Sequence, residues 1–122
     1  SDMTKRGLLQ EAVYEFCRLS ESASRLSIAS NGVYRNEEDG EREWWFTGRD
    51  VVIFIQEFKK MRNVKEAEVF TELKEMGASN TSKYIDKSVG NKKVWVLDIK
   101  ELGEGLLGAK DFKVEEEPKA WE

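Results

Sequence analysis

The chain has no histidine, one cysteine, one proline and no long apolar run. Each shortage removes chemistry. Without histidine there is no imidazole for acid–base catalysis or metal ligation. Cys17 alone can form no internal disulfide, and it cannot furnish a zinc finger or an iron–sulfur cluster. It falls among the apolar residues of the first helical pattern, where it reads as a small buried hydrophobe rather than a nucleophile. No stretch approaches the roughly 20 apolar residues of a membrane span, and no signal-peptide pattern opens the sequence. A cytoplasmic protein without membrane segments is therefore expected.

The motifs of small-molecule chemistry are also missing. No GxxxxGK followed by Ser or Thr occurs, so no phosphate loop of that kind exists. Gly103-Glu104-Gly105-Leu106-Leu107-Gly108 is formally G-x-G-x-x-G, but it has no βαβ setting and carries an acid inside the loop. Glu37-Glu38-Asp39 reads as a solvated acidic loop rather than a hard-cation site, and Glu72 and Glu75 as acids on an exposed helix face. No nucleophile has an identifiable base. The chain is expected to have no catalytic residues, no metal and no cofactor, although it can be part of a larger enzyme.

What is present is charge. Charged residues make up 36% of the 122, enough apolar residues remain for one modest core, and a single domain over residues 4–109 is expected. Residues 110–122 read as an acidic tail or linker, and Ser1-Asp2-Met3 as an expression remnant. Abundant Glu, Lys and Arg with two Gln resemble a thermophile's usage. Net charge is −4, which argues weakly against tight nucleic-acid binding, but the charges are unevenly distributed. Acid collects at Glu37–Glu43 and Glu115–Glu117. Base collects at Lys59, Lys60, Arg62 and Lys65, and again at Lys83, Lys87, Lys92 and Lys93.

Periodicity places these clusters. A first helix runs from about Thr4 into the low twenties, with Leu8, Leu9, Ala12, Val13, Phe16, Cys17 and Leu19 as its apolar stripe. Ser30-Asn31-Gly32 is a turn. Val33–Arg35 and Glu43–Phe46 are short extended pieces around the acidic loop Asn36–Gly40, a small β-arm in which alternation turns one of Trp44 and Trp45 inward and the other partly outward. Thr47 caps a second helix carrying Val51, Val52, Phe54, Ile55, Phe58 and Met61. After Arg62-Asn63 a third helix carries Ala67, Phe70, Leu73 and Met76, and Gly77 stops it. Beyond a loop at Ser79–Ser82 the period becomes that of strands, with Tyr84-Ile85 and Val94–Leu97 flanking the hairpin signal Gly90-Asn91. Lys100–Gly108 then reads as a short helix or apolar clip. This is an α+β chain in the order of a winged helix-turn-helix: helix, β-arm, helix, helix, β-hairpin wing, extra C-terminal segment.

In that fold the turn and third-helix start meet the major groove while the wing contacts flanking phosphates. The candidate contacts are Lys59, Lys60, Arg62, Asn63 and Lys65 at the corner. On the hairpin side they are Asn80, Lys83, Tyr84, Lys87, Lys92, Lys93 and Trp95. Lysines hold phosphates as point charges, while Arg62, Asn63 and Asn80 can reach base edges. Lysines at helix ends and hairpin tips also suit plain solubility. Glu66, Glu68, Glu72 and Glu75 on the third helix would repel a duplex. A single strand stacked on an exposed Trp44 or Trp95 avoids that repulsion, although each tryptophan also fits a core.

Two resemblances follow from these residues. Phe54–Ile99, with Val69–Gly77 and Lys93-Val94-Trp95-Val96, resembles the winged-helix modules appended to primase–helicase replication proteins of plasmids and viruses. It implies a DNA-binding accessory domain, on single- or double-stranded DNA, working beside other domains of a replication protein. An archaeal plasmid primase would suit the thermophile-like composition. The basic side can hold a nucleotide's phosphates in such a protein, though no motif supports it. The second resemblance is to DEP domains. Gly32-Val33, Phe46–Val52, Lys65-Glu66-Ala67 and Met76-Gly77 are similar to their arm, F-x-G-x-x-V and late glycine. That likeness implies a protein- or membrane-interaction module without a nucleic-acid role. The chain departs from it in its acidic arm.

Overall fold

The computed structural model of the chain describes residues 4–102. Ser1–Met3, the boundary at 109, the glycine run at 103–108 and the acidic segment from Lys110 lie outside the described residues. Helix α1 (Lys5–Ser20) leads into a two-residue strand β1 (Glu21–Ser22) and a 3-10 segment (Arg25–Ser30). Strands β2 (Val33–Asn36) and β3 (Glu43–Phe46) flank a short 3-10 turn (Glu38–Gly40). Helix α2 (Gly48–Ile53) continues as a π turn (Phe54–Phe58); helix α3 (Glu66–Glu75) and the hairpin β4 (Ser79–Asp86) and β5 (Gly90–Asp98) complete the order. The chain is α+β. Among the described residues five strands form one sheet in the order β1-β2-β3-β5-β4, in which β1 pairs parallel to β2 and every other pairing is antiparallel.

Local chemistry sets the element ends. Thr4 Oγ1 accepts from Gly7 N at 3.1 Å to start α1, and Thr47 Oγ1 accepts from Asp50 N at 3.3 Å to start α2. The Glu68 carboxylate accepts from Lys65 N at 2.9 Å, half of a capping box at the start of α3. At its far end Gly77 N donates to Lys74 O and Ala78 N to Leu73 O, a Schellman closure with Gly77 at φ 90°.

Alternation along the strands divides the core in two. Val33, Trp44, Phe46, Trp95 and Leu97 face the helices, where they meet Val13 and Phe16 of α1, Val51 and Ile55 of α2, and Val69 and Leu73 of α3. Tyr34, Trp45, Ile85, Val94 and Val96 face the other way and are covered by Ile28 of the 3-10 segment. Both Trp44 (0% exposed) and Trp45 (4%) are therefore buried, which corrects the expectation that one of them is partly exposed. The reason is that serine-rich residues 24–30 form a lid over the sheet instead of prolonging α1. Arg25 and Lys83 stand over the Trp45 ring at 5.1 and 4.9 Å. The indole N–H groups of these two tryptophans each have a carboxylate partner: Trp44 donates to Glu21 at 2.7 Å and Trp45 to Glu43 at 2.9 Å.

Other expectations shift by a residue or a turn. Leu8 and Leu19 are exposed, so the buried stripe of α1 is Leu9, Ala12, Val13, Phe16 and Cys17. On α3 the buried apolar residues are Val69 and Leu73, while Ala67 is exposed and Phe70 and Met76 are half-buried. Strand β4 begins at Ser79, inside the stretch read as a loop: its polar residues pair with Lys93–Val96 at the sheet edge, where one side needs no apolar pattern. The hairpin turn falls at Lys87–Val89, before Gly90-Asn91, because the Asp86 carboxylate accepts from Ser88 N, Ser88 Oγ and Val89 N, all at 2.9 Å.

Glu72 is not on an exposed face; it is 5% exposed between α3 and α1. Arg6 Nε donates to it at 2.9 Å and Gln10 Nε2 at 2.8 Å, so each oxygen has a donor. Deleting one donor strands a buried carboxylate oxygen, whereas replacing the cluster by apolar groups does not. Gln10→Ala is expected to lower unfolding free energy by about 1–3 kcal/mol, and adding Glu72→Leu to recover part of that loss. Urea midpoints of the two variants check this. An unchanged midpoint in Gln10→Ala would mean the bond carries no stability.

Candidate binding surface

Strand β3 stops at Phe46, paired with Trp95, and Thr47 then caps α2 and turns the chain away. Among the described residues, the part of β5 from Gly90 to Val94 consequently has β4 on one side and no strand on the other. Beside this half-open edge lies a concavity of about 1020 Å³, within reach of ordinary ligand sites. Its apolar wall is Phe16, Ile53, Phe54, Phe58, Phe70 and Trp95, and its charged rim combines Arg49, Lys92 and Lys93 with Asp50 and Glu57. Two rings of the wall stack, Phe54 on Phe58 at 5.0 Å between centroids and 20° between planes, and Phe16 packs behind Phe54 at 5.3 Å. The outer ring, Phe58, is 65% exposed.

The π turn explains that exposure. Lys59 N donates to Phe54 O at 3.0 Å, one residue wider than an α-helical bond, so the apolar stripe of α2 loses its phase. Phe58, expected in the core, is rotated outward, while Ile55 stays fully buried. Gly48 supplies a close approach at the Phe70 and Trp95 part of the lining: a Cβ there would sit 2.7 Å from the Phe70 ring and 3.0 Å from Trp95 Nε1. Trp95 is 3% exposed, and its indole N–H has no hydrogen-bond partner among the described residues.

The candidate contacts are distributed unequally around this surface. Asn80, Lys92, Lys93 and Trp95 line the concavity. The pairing register puts Asn80, Lys93 and Trp95 on the helix-bearing face and Lys83 and Lys92 on the other, with Lys92 reaching the concavity from the edge. Lys83 lies over Trp45, Tyr84 is 54% exposed with its carbonyl accepting from Arg25, and Lys87 is exposed in the turn. Lys59, Lys60, Arg62, Asn63 and Lys65 do not line the concavity. Lys59 pairs with Glu15 at 2.7 Å and Arg62 with Glu57 at 3.9 Å, while Lys60, Asn63 and Lys65 are exposed. Such exposed pairs add about 0–1 kcal/mol each to stability, but they leave less local positive potential for an outside anion. Stacking on Trp44 or Trp95 is ruled out by their burial. Arg49 was legible only as part of a helix start, and Phe54 and Phe58 only as core.

Electrostatically the rim has three cations, Arg49, Lys92 and Lys93, with no ion-pair partner among the described residues. Of its two acids, Glu57 is partly offset by Arg62. Cys17 is buried away from this surface in the helix-side core; burial, reinforced by Glu21, pushes its thiol pKa up and keeps it protonated. Among the described residues no group of His, Cys, Asp and Glu is placed to hold a metal ion, and no helix is long and apolar enough to cross a membrane. Comparison with known protein families, curated proteins and solved structures finds no match.

The hairpin tip that carries Lys87 depends on Asp86. The Val89 N–H, then the Ser88 hydroxyl and N–H, hold its carboxyl below the ordinary aspartate range. A depressed carboxyl stabilises the turn above its ordinary pKa, and that contribution disappears as pH falls through the depressed value. Amide protection factors at Ser88 and Val89 are expected to drop on acidification through that range. Asp86→Ala should reproduce the drop at pH 7. Equal protection in variant and parent would show that the carboxylate does not hold the turn.

Proposed function

We propose that the chain is a winged-helix module that binds nucleic acid, a non-catalytic accessory part of a replication protein of primase–helicase kind. The observation that carries this reading is the rim: three cations from α2 and β5 without an ion-pair partner among the described residues border one concave, aromatic-walled surface. The element order, with a hairpin following two helices, supports the winged-helix assignment. The grip lies at the hairpin's inner edge and the start of α2 rather than at the corner between α2 and α3. The acidity of α3 counts for less than its residue number suggests. Glu68 pairs with Lys5 at 2.8 Å, and Glu72 and Glu75 both pair with Arg6, which leaves Glu66 as the unpaired acid of that set.

One observation favours a second reading, a DEP-type protein-interaction module. Phe58 and Ile53 (43% exposed) are large apolar side chains on the concave wall, as a peptide groove requires. Titration of labelled DNA across salt concentrations separates the two. Three phosphate contacts to a single strand give a log–log slope of about −2. Arg49→Ala/Lys92→Ala/Lys93→Ala is expected to abolish salt-sensitive binding, while Lys59→Ala/Lys60→Ala/Arg62→Ala leaves most of it. No DNA binding at about 50 mM salt overturns the nucleic-acid reading, and retention on anionic vesicles would then favour the DEP-type module.

A further inference from the structure

Resting on the nucleic-acid reading above, we infer that the concavity takes a single strand of DNA rather than a duplex, with one base stacked on Phe58. Three observations converge on this. First, the ring series Phe16, Phe54, Phe58 runs from buried to exposed, and its last two members are stacked at 5.0 Å. The outer face of Phe58 is where a flat, polarisable ring continues the series, and any base offers one. A duplex has its bases already stacked and presents only edges and phosphates there.

Second, Trp95 is 97% buried by its 3% exposure, yet its N–H lacks a partner among the described residues. Buried indole donors are normally satisfied, as those of Trp44 and Trp45 are. This one belongs to a residue that lines the concavity, packed so closely against Gly48 that a Cβ there would stand 3.0 Å from the indole nitrogen. A base carbonyl or a phosphate oxygen has the required lone pair. Third, Arg49, Lys92 and Lys93 line the same concavity as that donor, and none of them has an ion-pair partner among the described residues. Phosphates therefore have cations to follow, and the bases they carry have an aromatic surface to meet. The two acids of the rim, Asp50 and Glu57, disfavour the dense phosphate array of a duplex more than the sparser charge of one strand.

The test is fluorescence anisotropy of the whole chain, at about 50 mM salt, with three probes of equal phosphate number: oligothymidylate, an abasic strand and a hairpin duplex. Oligothymidylate is expected to bind about tenfold tighter than either of the others. Phe58→Ala, an exposed position whose thermal melt serves as the folding control, should remove that difference and leave abasic binding unchanged. Lys92→Ala/Lys93→Ala should weaken all three. Equal binding of oligothymidylate and the abasic strand, tighter binding of the duplex, or a Phe58→Ala variant that keeps the parent's preference overturns the single-strand inference alone. Absence of binding to all three probes overturns the nucleic-acid reading itself, whether or not the surface takes a protein instead.

Discussion

The structure depends on the pairing of a four-residue strand, Glu43–Phe46, in the middle of the sheet. Trp44 and Phe46 project to the helices and Trp45 to the opposite side, so the strand needs an apolar layer on both faces. The helices supply one layer. The other comes from a six-residue 3-10 segment and two cations over the Trp45 ring, an economical lid for a small chain. Burying two indoles also demands acceptors, and Glu21 and Glu43 provide them from within the sheet. Arg35 holds Glu21 at 3.2 Å, so the acceptor is itself fixed.

Where that strand ends decides where the molecule is open. Had β3 continued by four residues, it would have covered β5 back to Asn91. Thr47 caps a helix instead, and the chain leaves the sheet at the point where Gly48 must pass the Phe70 and Trp95 rings. The half-uncovered β5, the start of α2 and the π turn then border the same space. π turns recur at functional sites because they redirect a side chain without breaking the helix. Here the redirected side chain is Phe58.

Much of the fold was legible in the sequence. Thr47 and Gly77 marked helix ends because capping and the left-handed stop are local effects, decided by a few neighbouring atoms. The hairpin was legible from its apolar run and a glycine. What escaped reading was set by partners distant in sequence. Ser79–Ser82 carry no strand pattern, and they are a strand because Lys93–Val96 lie alongside. Trp45 appears half-exposed until residues 24–30 fold over it. Glu72 looks like a surface acid until Arg6 and Gln10 of α1 arrive from more than sixty residues away. Of the contacts expected from sequence, Asn80, Lys92, Lys93 and Trp95 line the concavity, while the exposure of Phe58 was hidden by a change of helical pitch that periodicity assumes away.

The same distant pairings explain how a chain of net charge −4 keeps a basic edge. Arg6 and Lys5 at the start of α1 engage Glu68, Glu72 and Glu75 of α3. Arg35 and Arg42 attend Glu37, and Lys100 attends Glu41 and Asp98. These contacts are short-range and mostly exposed, so each adds little to stability. Their effect is spatial. They draw much of the acid into local pairs on the helix side and the arm, away from the concavity. Screening at physiological salt limits the reach of the remaining charges to about 8 Å, so the field over the concavity is governed by its own rim. Net charge therefore says little about this surface, and Arg49, Lys92 and Lys93 say most of it.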